Sequence, residues 1–107
     1  MRDDQKKEYL LEFLDKKVFD PVLEAQPRQY SDERDRKMLE EVQRSAAFEK
    51  ERLHEQARNA EEVRNIYLRD LYYESIGRMG KELEDLELPR LRQVRNEFLG
   101  MCRELGL

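Results

Sequence analysis

The run from Arg28 to Ile76, RQYSDERDRKMLEEVQRSAAFEKERLHEQARNAEEVRNIYLRDLYYESI, passes through 49 residues without a glycine or a proline. Nearly half of it is Asp, Glu, Lys or Arg. Glycine and proline are the residues that end helices, and long unbranched charged side chains lose little freedom in a helical backbone. The run therefore reads as helix, and the fold as all-α: three to four helices around a long central charged helix, with coiled-coil-like or bundle packing.

Two signals disagree about the middle of the run. Asn59-Ala60-Glu61-Glu62 matches a capping box, with Asn59 accepting from a backbone amide and Glu62 reaching back, and so predicts separate helices over about 31–58 and 60–84. The heptad steps Leu39, Val42, Ala46, Glu49, Leu53, Gln56, Ala60, Val63 and Tyr67 pass straight through Asn59 and predict a continuous or merely kinked helix over 31–84. Ser31 is a suitable cap at the start, followed by Asp32 and Glu33, whose charge suits a helix N-terminus. Behind them runs a ladder of opposite charges, Asp32 to Arg36 to Glu40 to Arg44. Each pair contributes only about 0.2–0.5 kcal/mol on an exposed face.

Upstream, Leu10, Leu14 and Val18 fall at four-residue steps, with Leu11 and Phe13 beside them, which predicts an amphipathic helix over about 3–19. It is expected to stop near Asp20-Pro21, where the proline removes a donor and crowds the preceding turn, or to restart there as a short turn capped by Asp20. Downstream, apolar density is greatest from Ile66 to Leu83, which places the centre of the core there. Pro89 suits the first turn of a last helix over about 89–105, with Leu91, Val94, Phe98, Met101 or Cys102, and Leu105 along one stripe, and Gly106 can terminate it.

At 107 residues the chain has room for a single domain, one that buries only about two thirds of its unfolded surface. Charged residues make up 43% and apolar ones 38%, with no Trp, so the apolar groups must be gathered on narrow stripes. The net charge of −4 argues against nonspecific nucleic-acid binding, which draws on a basic surplus. Cys102 is the only cysteine, so no intramolecular disulfide can form, and a reducing, cytoplasmic setting is expected. The first residues lack the uninterrupted apolar stretch of a signal peptide, and nothing approaches the length needed to cross a bilayer.

Few residues carry the signature of chemistry. Glu51-Arg52-Leu53-His54 is an E-x-x-H spacing that sets a carboxylate and the only imidazole of the chain on one helix face. Two such motifs with two further carboxylates make the metal site of ferritin-like bundles, and a symmetric dimer would supply the second copy, with Glu24 or Glu12 adding a carboxylate. Arg52, Glu55, Gln56 and Arg58 around His54 instead suit a solvated position. Arg90, Arg92, Arg95 and Arg103 gather on and beside the polar side of the last helix, where they could meet phosphate or pair with Glu87, Glu97 and Glu104. Cys102 sits on or beside an apolar stripe, as a packing residue does. No enzymatic constellation, Gly-rich phosphate loop or cofactor motif stands out.

The expectation is a noncatalytic helical interaction module, an adaptor, assembly factor or small regulator, homodimeric through Leu39, Val42 and Leu53, with Tyr67, Tyr72 and Tyr73 as further contact candidates. Two alternatives remain: a ferritin-like metal-binding half-bundle at Glu51 and His54, completed by dimerisation, and a nucleic-acid-binding regulator using Arg90, Arg92 and Arg95.

Overall fold

The computed structural model describes residues 1–27, 29–76 and 88–107, with side chains described except at 70–76 and 88–91. All regular structure among these residues is helical. The chain forms α1 (Asp3–Leu14), a π-helical turn (Asp15–Phe19), α2 (Asp20–Leu23), α3 (Glu33–Gln56), α4 (Ala60–Ile76) and α5 (Leu88–Glu104). The molecule measures 48 × 24 × 21 Å with a radius of gyration of 14.7 Å. A compact chain of this length has a radius of about 13 Å, so the shape is elongated.

The first helix does not stop at Pro21. α1, the π turn and α2 follow one another as a single helical rod, because the backbone widens just ahead of the proline: the Asp20 N–H donates to the carbonyl of Asp15, five residues back. A widened turn eases the crowding between the pyrrolidine ring and the preceding carbonyls that would otherwise break the helix. The extra residue also changes which side chain points inward. After Leu10 and Leu14 the four-residue step would bury Val18, but Phe19 takes the buried position and Val18 is only half-buried.

α3 begins one residue later than Ser31 would set it. Asp32 is its cap, with Oδ1 accepting from the Asp35 N–H at 2.8 Å. The helix ends at Gln56, so the unbroken helix over 31–84 does not form, nor do α3 and α4 fold back on each other as a hairpin. α3 packs on the π turn and α2, whereas α4 packs on α1. They lie along successive lengths of the same rod. At the break Ala57 is extended, Asn59 Oδ1 accepts from the Glu62 N–H at 2.9 Å, and Glu62 Oε2 accepts from the Arg58 N–H at 2.6 Å, one residue earlier than a capping box would have it. Ala57, not Gln56, occupies the inward position, while Leu53, Ala60, Val63 and Tyr67 of the heptad series are all buried.

Among the described residues the core gathers on α1, and most side chains of the stretch from Ile66 to Leu83, where apolar density places the centre, lie outside them. Leu10 and Leu14 are fully buried against Val63 and Tyr67 of α4 and Phe98 and Cys102 of α5, with Phe19, Leu53, Ala57 and Ala60 extending the cluster. Ile66 is half-buried, and the side chains from Asp70 to Leu83 lie outside the described residues. Phe98 is the hub: Tyr67 meets it edge-on at 4.8 Å and Phe13 stacks on it at 6.3 Å. Gly106 ends α5 with φ +79, and the Gly106 N–H bonds Arg103 O while the Leu107 N–H bonds Cys102 O, which is a Schellman closure.

Candidate functional site

α3 is the element on which the sequence concentrates its candidate residues, and its two halves differ. At about 100° per residue, Leu39, Val42, Ala46 and Leu53 share one side of the helix. Only Leu53 is buried, in the chain's own core, and Ala46 packs against the edge of that core. Leu39 and Val42 are half-buried, so the dimer seam expected of these residues is used internally at its Leu53 end and left partly open at its Leu39 end.

Beside this apolar side runs a polar line that docks α3 antiparallel on the rod. Gln43 Nε2 donates to the carbonyls of Ala25 at 2.8 Å and Val22 at 3.2 Å, the latter also accepting from the Ala25 N–H at 3.3 Å. Lys50 Nζ meets Asp20 Oδ1 at 2.7 Å, and the bond to Asp20 holds the ammonium above its ordinary pKa of 10.5. His54 Nε2 lies 2.8 Å from Asp15 Oδ2 and 3.0 Å from Oδ1. The histidine thus pairs with a carboxylate of the π turn, while Glu51, also exposed, is not brought to it. Among the described residues no group of three or more His, Cys, Asp or Glu side chains is placed to hold a metal ion, so this chain by itself does not assemble the E-x-x-H reading into a donor set.

Of the other candidates, Tyr67 is 3% exposed and belongs to the core, not to a contact surface. The side chains of Tyr72, Tyr73 and Arg90 lie outside the described residues. Arg92, Arg95 and Arg103 are exposed, and none of them makes an ion pair among the described residues; Glu97 instead accepts from Gln93 at 3.5 Å. Burial pushes the Cys102 thiol up, offset in part by the positive charge of Arg64, so it is a protonated packing group. Two features escaped the reading by residue pattern. Phe48 is 65% exposed on the side of α3 away from the rod, and Tyr30 is 94% exposed just before α3. Exposure at single positions is a tertiary outcome that periodicity does not encode.

No helix among the described residues is long and apolar enough to cross a membrane. Comparison with protein-family models, with curated proteins and with solved structures finds no match to this chain.

Proposed function

We propose that the protein is a noncatalytic helical interaction module, an adaptor, assembly factor or small regulator, that associates as a homodimer through the first half of α3. One observation supports this reading above the others: no residue of α3 before Leu53 is buried, although Met38, Leu39 and Val42 carry its apolar side well past Gln43, the level at which α2 ends. At 24 residues α3 is about 36 Å long, and α2 with the π turn covers little more than its second half. A half-covered apolar stripe on a charged helix is the pattern that coiled-coil pairing completes, with the surrounding charges selecting the partner and its direction. A lone buried thiol suits a reducing compartment such as the cytoplasm.

Light scattering at micromolar concentration tests it. The wild-type protein is expected as a dimer and the Leu39→Asp, Val42→Asp variant as a monomer with unchanged helicity. A wild-type monomer overturns the reading.

A further inference from the structure

The polar surface of α5 is sorted by charge. Measured around the helix from the buried Phe98, Arg95, Leu99, Arg92 and Arg103 fall about 60–140° to one side, and Glu97, Glu104 and Gln93 about 100–140° to the other. Arg92, Arg95 and Arg103 are exposed and Leu99 between them is half-buried. Elsewhere Lys50 pairs with Asp20, Lys37 with Glu33, Arg64 with Glu61 and Arg2 with Asp4. Along this flank three guanidinium groups stand without an ion pair among the described residues, over a length of about 16 Å.

We infer that this flank of α5 is a docking surface for an acidic amphipathic helix of a partner protein. The inference rests on the reading of the protein as an interaction module but not on its dimerisation. Arginine recognises carboxylates through two parallel hydrogen bonds, and carboxylates repeated at three- and four-residue steps on a partner helix match the pitch of Arg92, Arg95 and Arg103. Leu99, inside the cationic line, gives such a helix an apolar contact to cover. A phosphodiester chain is the poorer match. The protein's net charge of −4 repels an extended polyanion over its whole length. Three arginines also neutralise few phosphates, and the sequence places no aromatic side chain on the arginine flank between Arg92 and Arg103 for a base to stack on. An acidic helix of about four turns confines its charge to the footprint of the flank.

The experiment is fluorescence anisotropy with the full chain, using a labelled Glu-rich amphipathic peptide of about four helical turns and, separately, a labelled oligothymidylate. Saturable peptide binding is expected in the micromolar range, weaker at higher salt, and weakened about tenfold or more in the Arg92→Glu, Arg95→Glu, Arg103→Glu variant. Because all three side chains are exposed, circular dichroism of that variant is expected to match the wild type. Leu99→Ala is expected to weaken binding by a smaller factor. Absent peptide binding, or binding indifferent to the charge reversal, overturns the inference. Tighter binding of the oligonucleotide than of the peptide, lost in the same variant, also overturns it and assigns the flank to phosphodiesters. Light scattering on the same samples keeps the two readings apart: a dimer that ignores the peptide overturns only this inference, and a monomer that binds it overturns only the dimer.

Discussion

Around Phe98 the chain is held by rings and branched side chains excluded from water, whereas along α3 it is held by Gln43, Lys50 and His54 reaching across to the rod at a half-exposed edge. The two constructions obey different energetics. A buried aromatic loses its transfer free energy and leaves a cavity when truncated, while a solvated polar bridge gains little over the water it replaces. The end of the molecule built from α1, α4 and α5 therefore carries the stability, and the arm formed by α2 and α3 carries geometry. The outer residues of such an arm can change without unfolding the core.

That contrast is open to direct attack. Phe98→Ala is expected to cost about 3–5 kcal/mol in denaturant unfolding, since Phe98 is fully buried and anchors both ring contacts. A loss below about 1 kcal/mol would mean the bundle end is not the stable one. In the arm, Gln43→Ala is expected to cost about 1 kcal/mol, because it takes the side-chain donor from the Ala25 carbonyl at a part-buried position, while the Val22 carbonyl keeps the Ala25 N–H. The same substitution is expected to speed amide exchange in residues 20–25 before it affects α1. Gly100→Ala is expected to raise stability by up to about 1 kcal/mol, because the position is helical and a methyl group there meets nothing within 4 Å. This sharpens the comparison by improving the bundle end alone.

The smallest effect belongs to Lys50. Its side chain is a third exposed, so its pair with Asp20 is worth about 0–1 kcal/mol. The ammonium is held above 10.5 in the folded state by its hydrogen bond to Asp20, so the contribution is complete below that pH and fades as pH rises through the folded value. Lys50→Met is accordingly expected to lower stability slightly at pH 7, and the gap to the wild type is expected to narrow as pH rises through the raised folded-state pKa, read from paired urea titrations. A gap that does not narrow with pH would show the methylene stem, not the charge, to be at work.

What the residues disclosed on their own followed from short-range periodicity. The stripe of Leu10, Leu14, Val94, Phe98 and Cys102 was legible because three- and four-residue steps on one helix fix one face, and the end of α5 at Gly106 because only a positive φ closes that turn cheaply. Phe19 was not legible. Val18 and Phe19 are adjacent and both apolar, so periodicity alone cannot decide between them, and the widened turn that Pro21 induces chooses Phe19. At Gln56 and Ala57 the heptad step selected the polar neighbour, and the extended backbone of Ala57 turns the apolar one inward instead. For the candidate site, Glu51 is visible three residues from His54, but the true partner, Asp15, is 39 residues away and no local spacing points to it.

The π turn at Asp15–Phe19 and the break at Ala57–Asn59 stand close to the same height along the molecule, as the bond between Asp15 and His54 marks. Two neighbouring backbones therefore leave the regular i to i−4 ladder near one cross-section. In mechanical terms that section is the most compliant of the rod, since bending elsewhere must strain at least one intact helix. A load on the far tip of α3 is expected to turn there, with the Asp15–His54 contact as the fulcrum and Phe98 undisturbed.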